Sequence, residues 1–263
     1  MSALLELSTC LLIATSVLGQ EATAGPDPEA PPKVAAEPDG RRTVGRLPAN
    51  LFRGTLGMFS RDGRNGALIG VAATSLGSFF DGRVEDRIAD PSNKFARSVE
   101  NAAGGIPSAL AVAGVFAAGR VVDNPRFRAM SYDLLGAALV NGFWTTVLKQ
   151  SIGRKRPDES DRLSFPSGHA SNAFAIATVI ERHYGGKAGW PAYALASTVA
   201  VSRLQRDRHY LSDVLAGATL GYAVGRSVVR VNGRPLDSPR SPQLSAIPIC
   251  GPHTRALEVR LTF

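Results

Sequence analysis

The sequence has few cysteines, fewer acidic than basic residues, and no long uncharged apolar run. Only two cysteines occur among 263 residues, which excludes a disulfide framework and a cysteine-rich zinc module. The 22 acidic residues are outnumbered by 30 basic ones, which gives a net charge of +8. Because the basic residues are scattered, a solvated basic surface is favoured over nucleic-acid binding. The apolar content of 44% excludes disorder throughout the chain.

The N-terminus has the features of an export signal. Leu11–Leu18 is apolar and uncharged, and Val17 and Gly19 are small enough to precede a signal peptidase cut. No Lys or Arg precedes this stretch, so an uncleaved membrane anchor is the alternative. We expect residues 1–19 to be a cleaved signal and the mature protein to lie outside the cytoplasm.

Composition divides the remaining chain into three parts. Residues 20–50 are predicted to be an extended or disordered proline-rich linker, because they hold six of the 17 prolines and little apolar content. Residues 51–240 form the predicted helical domain, and residues 241–263 a C-terminal extension. In Ala256–Phe263 apolar and polar residues alternate as in a strand. Leu244–Cys250 could pair with it as a β-hairpin.

The central part is predicted to be an all-α bundle of about six core helices. Ala- and Leu-rich stretches recur there without strand-like alternation. They are Gly66–Phe80, Ser108–Ala118, Leu134–Leu148, Ala170–Ile180, Ala188–Val201 and Val214–Val224. A bilayer span needs about 20 apolar residues, and these stretches are shorter. We therefore expect a soluble or peripherally attached bundle, although helices rich in small residues also pack closely in lipid.

Three cations lie near the ends of these apolar stretches. Lys149 and Arg156 belong to the block Lys149-Gln-Ser-Ile-Gly-Arg-Lys-Arg-Pro157, and Arg203 follows Ser202. A buried cation is costly unless it is paired. Three converging cations would need a multiply charged anion, and phosphate fits because arginine binds it through a bidentate fork.

A second block, Pro166-Ser167-Gly168-His169, precedes a predicted helix. Ser167 is a candidate N-cap residue, and Gly168 would let a ligand approach the backbone closely. Free N–H groups and the helix dipole favour an anion at such a helix start. His169 would stand beside that anion.

The third block is Ser202-Arg203, five residues, His209, three residues, Asp213. On a helix, positions 209 and 213 lie on one face, one turn apart. A carboxylate beside an imidazole fixes its tautomer and stabilises its cationic form. His209 could therefore attack phosphorus as a nucleophile, and His169 remains to protonate the leaving oxygen.

The pattern K-x6-RP, PSGH and SR-x5-H-x3-D resembles the signature of the type 2 phosphatidic acid phosphatase superfamily. This group includes bacterial acid phosphatases, lipid phosphatases and vanadium haloperoxidases. Every signature position is matched between Lys149 and Asp213. The resemblance implies an all-α core from about Leu51 to Val229 and phosphoryl transfer without a metal or other cofactor.

The resemblance also implies a role for each signature residue. His209 would become phosphohistidine, Asp213 would orient it, and His169 would be the general acid. Ser202 would be structural. The residues that would hold the phosphoryl oxygens are Lys149, Arg156, Ser167, Gly168 and Arg203.

Three loop charges and two histidines outside the signature are expected to have no part in catalysis. Arg206, Asp207 and Arg208 precede His209, and solvated loop charges are favoured over contacts to a substrate head group. His183 is expected to be a helix-end histidine. His253 is expected to be a turn residue.

The leading functional prediction is a phosphatase acting on a phosphomonoester, a lipid phosphate or a pyrophosphate outside the cytoplasm, in solution or at a membrane surface. The first alternative is a haloperoxidase with vanadate on His209, but family haloperoxidases are generally longer chains. The second is a non-catalytic protein that binds phosphate or lipid head groups. The presence of both His169 and His209 argues against it, because binding alone needs neither an acid nor a nucleophile.

Overall fold

The described part of the chain is helical up to residue 233, as the all-α prediction required. Two strands follow it in the C-terminal extension. The structure, a computed structural model, describes residues 41–233, 243–250 and 255–262, with side chains described for 41–60 and 66–233. After a 3-10 turn at Val44–Arg46, the helices are α1 (Leu47–Gly57), α2 (Arg61–Ser78), α3 (Asp81–Ile88), α4 (Lys94–Ala102), α5 (Gly105–Val121), α6 (Pro125–Ile152), α7 (Gly168–Tyr184), α8 (Gly186–Gln205) and α9 (Leu211–Val231). Strands β1 (Gln243–Cys250) and β2 (Arg255–Thr262) pair antiparallel.

Several predicted segments fall on residues that the structure does not describe. The predicted signal at 1–19 lies outside the described residues, as does the predicted linker up to residue 40. His253, expected in a turn, also lies outside them. These assignments stay predictions.

Helix α1 begins at Leu47, within the last residues of the predicted linker. Pro48 is in its first turn, where a missing backbone N–H removes no helical hydrogen bond. Asn50 is buried and donates its amide hydrogens to the Arg41 carbonyl oxygen at 2.8 Å and to the Tyr132 hydroxyl at 3.0 Å. These contacts anchor the segment to the bundle despite its low apolar content.

Helix α6 is the longest described element, at 28 residues. It begins where the Asn124 side chain accepts a hydrogen bond from the Phe127 backbone N–H at 2.9 Å, an N-cap followed by a proline at the first helical position. It ends at Gly153, which has a positive φ of 60° and so provides the left-handed residue that terminates many helices. This end delivers Lys149 and the loop behind it to the site.

The main core lies between α6, α7 and α9. Leu134 and Val140 of α6 pack with Val179 of α7 and with Val224 and Val228 of α9, all of them buried. Close packing of aliphatic side chains makes such a centre rigid. The three helices therefore form a fixed frame for whatever their ends carry.

Two glycines of α9 allow α7 to approach it closely. A Cβ atom at Gly217 would overlap the Ser167 carbonyl oxygen, and one at Gly221 would overlap the Ser171 carbonyl oxygen. At the same junction the Ser167 backbone N–H donates to the Asp213 carbonyl oxygen at 2.9 Å. The first turns of α7 and α9 are thereby held side by side.

A buried ionic cluster joins the beginning and end of the bundle. The carboxylate of Asp133 in α6 is fully buried and accepts from Arg42 at 2.9 Å, His183 Nε2 at 2.8 Å and Asn232 at 2.7 Å. Each donor comes from a different segment, so the pairing is cooperative. His183 lies in the last turn of α7, as predicted, but it is buried inside this cluster.

Within the described residues, no single helix is both long and apolar enough to cross a membrane by itself. One pair, α4 and α5, meets the length and composition criterion when the two helices are taken together, with a bend of 48° between them.

Candidate active site

His209 lies in the turn immediately before α9, so the prediction that it shares a helix face with Asp213 is wrong. Tyr210 is the N-cap residue, and Asp213 is the third residue of the helix. The Asp213 carboxylate accepts a hydrogen bond from the Tyr210 backbone N–H at 3.0 Å, which is half of a capping box. The turn still brings His209 Nδ1 to 3.8 Å from Asp213 Oδ2.

The Asp213 carboxylate is fully buried and held from several sides. Oδ1 accepts from Arg154 Nη1 at 2.7 Å, and Oδ2 accepts from the Ser164 hydroxyl at 2.5 Å. Burial alone would raise the pKa of Asp213, but the nearby His209 ring and the hydrogen bond from Ser164 lower it below its usual range. Asp213 is therefore ionised at neutral pH.

The His209 imidazole is buried between Asp213 and the cations. Burial lowers the pKa of His209 to about 4; Asp213 opposes this shift, while Lys149, Arg156 and Arg203 reinforce it. With Nδ1 towards the carboxylate, the other ring nitrogen, Nε2, lies 3.4 Å from Arg156 Nη1. The ring is thus neutral at pH 7, with the Nε2 lone pair towards the cationic side.

Lys149 and Arg156 form one wall of the site. Lys149 lies in the last turn of α6 and donates to the Leu163 carbonyl oxygen. Burial, and then the positive charge of Arg156, lower the pKa of Lys149 to about 8. Arg156 is fixed by Asp161 at 2.8 Å. Lys149 therefore remains largely charged at pH 7.

Ser167 occupies the N-cap position of α7, but its side chain does not make the predicted cap. Its hydroxyl is buried, and no group in the described part of the chain hydrogen-bonds to it. Gly168 follows, and a Cβ atom there would lie 3.8 Å from Lys149 Cε. A hydroxyl donor, a helix start and a cation therefore face the same small volume, which suits an anion.

His169 lies in the first turn of α7, next to both His209 and Arg203. Burial and, after it, the neighbouring Arg203 and His209 lower the pKa of His169 to about 4. The carboxylate of Glu100 and its main-chain carbonyl oppose the shift.

Arg206 and Arg208, in the loop before His209, were expected to be solvated charges. The residues around Arg203 show that this expectation is wrong for both arginines. Glu100 of α4 pairs with Arg203 at 2.8 Å and with Arg206 at 2.9 Å, and lies 3.8 Å from Arg208 Nε. Burial raises the pKa of Glu100, but hydrogen bonds from Arg203 and Arg206 bring it to about 2. Arg206 and Arg208 are therefore partners of a half-buried carboxylate, and Arg208 also binds Asp158 at 2.6 Å.

The structure brings the predicted site residues together where the ends of four helices meet. Lys149 ends α6, His169 begins α7, Arg203 ends α8, and Asp213 begins α9. The site offers several cations, two neutral imidazoles and one buried carboxylate. Such a set can bind a phosphoryl group, attack it, and exchange a proton.

The helical segment that builds most of this site also matches a known family. Residues 131–235 match the sequence model of the PAP2 superfamily. They include every signature residue from Lys149 to Asp213. Residues 131–235, the PAP2 segment, are therefore similar to this superfamily.

Several curated phosphatases are similar to part of the chain. The lipid A 1-phosphatase of Porphyromonas gingivalis is 44% identical over 96 residues, covering 35% of this chain and 21% of that protein. The decaprenylphosphoryl-5-phosphoribose phosphatase of Mycobacterium tuberculosis is 35% identical over 97 residues, covering 33% and 52%. Phosphatidylglycerophosphatase B of Bacillus subtilis is 37% identical over 90 residues, covering 28% and 44%. The match thus spans between about one fifth and one half of these relatives.

Two solved structures resemble the chain at low identity. A transmembrane PAP2-type phosphatidylglycerolphosphate phosphatase from Bacillus subtilis covers 70% of this chain and is itself covered to 92%, with a TM-score of 0.48 and 19% identity. LpxE from Aquifex aeolicus covers 52% of this chain and is covered to 84%, with a TM-score of 0.44 and 21% identity.

Four residues that contact the site were not predicted from the sequence. Arg154 and Ser164 lie inside the PAP2 segment, and Arg154 stands two residues before Arg156. Asp81 and Glu100 come from α3 and α4, which precede the PAP2 segment. No spacing rule connects positions so far apart, so only the folded arrangement reveals them.

Proposed function

We propose that the protein is a metal-independent phosphatase that works through a phosphohistidine on His209. The observation that carries this proposal is the orientation of the His209 ring. Its Nδ1 faces the ionised Asp213, and its unprotonated Nε2 faces Arg156 and the other cations. A nucleophile held in this way is aimed at a phosphoryl group bound by the cations.

In the first step, Nε2 of His209 attacks phosphorus and the P–O bond to the leaving group breaks. Lys149, Arg156, Arg203 and the Ser167 hydroxyl stabilise the charge on the phosphoryl oxygens. His169, protonated in the complex with the anionic substrate, gives its proton to the leaving oxygen. The products of this step are an alcohol, or a phosphate from a pyrophosphate, and the phosphohistidine.

In the second step, water attacks the phosphohistidine. His169, now neutral, takes a proton from the water as the new P–O bond forms and the P–N bond breaks. Inorganic phosphate leaves, His209 is free again, and His169 holds a proton as it did in the substrate complex. The sum is one ester and one water converted to one alcohol and one phosphate.

Lipid phosphates or lipid pyrophosphates are the proposed substrates. The relatives are named for lipid A, decaprenylphosphoryl-phosphoribose and phosphatidylglycerophosphate. The surface of this chain supports the same choice, because large apolar side chains are exposed on several helices. They include Phe52 and Leu56 of α1, Leu68 and Ile69 of α2, Ile106 and Leu110 of α5, and Trp190 and Leu195 of α8.

The protein is further proposed to be membrane-associated, with its site on the extracytoplasmic side. The exposed apolar surface supports contact with lipid, since monomeric soluble proteins rarely expose extended apolar patches. The predicted export signal at residues 1–19 supports the orientation.

Phosphate release tests the activity. The purified full-length chain is assayed in detergent micelles with phosphatidic acid, an undecaprenyl pyrophosphate and p-nitrophenyl phosphate, in EDTA. We expect turnover of at least one lipid substrate, which His209→Asn reduces below about 1% because the nucleophile is lost. His253→Asn, outside the signature, is the matched control and keeps wild-type turnover. Activity that EDTA abolishes and a divalent ion restores, or that His209→Asn retains, would contradict the proposal.

Fractionation tests the location. Membranes from cells producing the full-length chain are washed with high salt, then with alkaline carbonate, then with detergent. A peripheral bundle leaves in salt or carbonate, whereas an integral one leaves only in detergent. Recovery of the chain in the cytoplasmic fraction before any wash contradicts the proposed location.

A further inference from the structure

We propose that Arg154 is a positioning residue, which holds the Asp213 carboxylate in the orientation that aims His209, and that Asp81 fixes Arg154 in turn. The effect on turnover rests on the proposed phosphatase function. The effect on the His209 imidazole does not, and the experiment below measures both.

Arg154 approaches Asp213 on the side opposite to the nucleophile. Its Nη1 donates to Asp213 Oδ1 at 2.7 Å, while Oδ2 is the oxygen nearest to His209. Oδ2 is also bound by Ser164 and by the Tyr210 backbone N–H. With both oxygens bound, the carboxylate cannot rotate about its Cβ–Cγ bond without breaking a charge-assisted hydrogen bond.

Asp81 binds the far side of the Arg154 guanidinium. Its Oδ2 accepts from Arg154 Nη2 at 2.8 Å. Asp81 is itself fixed, because Ser212 donates to it from its backbone N–H at 2.9 Å and from its hydroxyl at 2.7 Å. The Tyr210 ring covers Arg154, with its centroid 4.1 Å from Cζ. A planar fork between two carboxylates and over an aromatic face is a geometry that lysine cannot reproduce.

The same ion pair affects the charge state of His209. Arg154 offsets the negative charge of Asp213, which otherwise favours the imidazolium form. Without Arg154 the carboxylate acts on the ring undiminished, so the pKa of His209 rises. The other groups that act on the ring are unchanged by this substitution; they are Lys149 of α6, Arg156 of the following loop, His169 of α7 and Arg203 of α8.

The test compares Arg154→Met with Arg162→Met in the full-length chain. Arg162 is exposed on the same loop and is the matched control. We expect Arg154→Met to lower kcat about 100-fold, because an error of about 1 Å in aim costs that much, with KM within about threefold. Arg154→Lys keeps the charge but loses the fork, so we expect an intermediate loss of about tenfold. Arg162→Met should match wild type.

The second readout needs no turnover. The chain is labelled with 15N-histidine, the His209 signal is assigned by its loss in His209→Asn, and its pKa is measured by NMR titration. We expect the pKa of His209 to rise by at least one unit in Arg154→Met, and to stay near the wild-type value in Arg154→Lys and Arg162→Met.

A double variant separates positioning from folding. Arg154→Met leaves Asp81 and Asp213 close together without a cation, which could prevent folding. Arg154→Met/Asp81→Asn removes the repulsion. We expect it to fold, judged by circular dichroism and the thermal midpoint, and still to show the lowered kcat and the raised pKa of His209.

The outcomes are distinct. If a folded Arg154 variant keeps kcat within twofold of wild type and leaves the pKa of His209 unchanged, the positioning role is overturned. If wild type hydrolyses none of the phosphate panel but Arg154→Met still raises that pKa, the proposed phosphatase function fails and the positioning of Asp213 stands.

Discussion

His169 and His209 share an environment that keeps both imidazoles neutral in the free protein. Burial is the largest cause for each, and it lowers both pKa values to about 4. A neutral His209 is ready to attack, but a neutral His169 cannot act as an acid. A bound phosphate dianion supplies the missing negative charge and raises the pKa of His169. Substrate binding therefore prepares the acid, while Lys149, Arg156 and Arg203 offset the same charge at the nucleophile.

His169→Asn should slow poor leaving groups far more than good ones. A lipid alkoxide needs a proton as it leaves, whereas p-nitrophenolate needs little. We expect kcat for phosphatidic acid to fall at least about 100-fold and kcat for p-nitrophenyl phosphate to fall much less. Parallel kinetics on the two substrates check this. An equal loss on both would contradict the acid role.

Glu100→Gln should tighten binding of inorganic phosphate. Glu100 neutralises part of the charge of Arg203, Arg206 and Arg208, and glutamine keeps its shape without its charge. We expect the inhibition constant of phosphate to fall about three- to tenfold, as expected for one partly screened charge near the anion. Glu159→Gln, which breaks only an exposed pair with Lys155, is the control. Unchanged or weaker inhibition in Glu100→Gln would refute this role.

The site residues that lie close together in the sequence could be predicted, and those that lie far apart could not. Lys149, His169 and His209 fall within one short segment with fixed intervals, so chemistry and order together identified them. Arg154 lies in the same segment, but the sequence around it does not indicate which carboxylate it will pair with. Asp81 and Glu100 become part of the site only through folding, because α3 and α4 pack beside distant helix ends.

At the scale of elements, the site depends on how closely α7 and α9 pack. The two helices start side by side, and their first turns carry His169 and Asp213. Glycine at positions 217 and 221 removes the side chains that would keep the backbones apart. The absence of a Cβ atom at these two positions therefore lets the helices, and with them the two histidines, come close together.

Gly221→Ala should separate these helices and reduce activity. The new Cβ would overlap the Ser171 carbonyl oxygen, and overpacking of this kind costs about 1–3 kcal/mol. We expect a lower thermal midpoint and a kcat reduced at least about tenfold. The control is Gly142→Ala, because a Cβ at this exposed position of α6 has no neighbour within 4 Å among the described residues. Equal midpoints and activities in the two variants would contradict this account.

Helices were predictable where apolar content was continuous. The stretches 134–148, 170–180 and 214–224 all lie inside helices, because a buried helix in a tight bundle is apolar on most sides. Helices α3 and α4 were missed because they are short and rich in charge. The position of His209 was wrong because Tyr210 is the N-cap residue of α9, which sequence spacing alone did not reveal.

At the scale of the whole molecule, two buried carboxylates organise opposite parts of the bundle. Asp133 joins the N-terminal segment to α6, α7 and the end of α9, and Asp213 joins α9 to the loop after α6. Each has an arginine partner, and breaking a buried pair is far more costly than breaking an exposed one. The interior of the bundle thus contains ion pairs that join segments distant in sequence.

Acid should destabilise the protein before its carboxylates titrate. The pKa values of His169 and His209 are about 4 in the folded state and about 6.5 when unfolded. Between these values the unfolded chain binds more protons, so the free energy of unfolding falls as pH falls through this window. Glu100 and Asp213 do not contribute yet, because their folded pKa values lie below their ordinary values and the unfolded groups protonate only near pH 4.

From pH 7 to pH 5 we expect the free energy of unfolding to fall by an amount on the order of 2–4 kcal/mol, or about 5–10 °C in Tm. Thermal unfolding of wild type and His169→Asn/His209→Asn across this range measures it. The double variant should lose much less stability, and an equal decline in both proteins would show that these two histidines are not the cause.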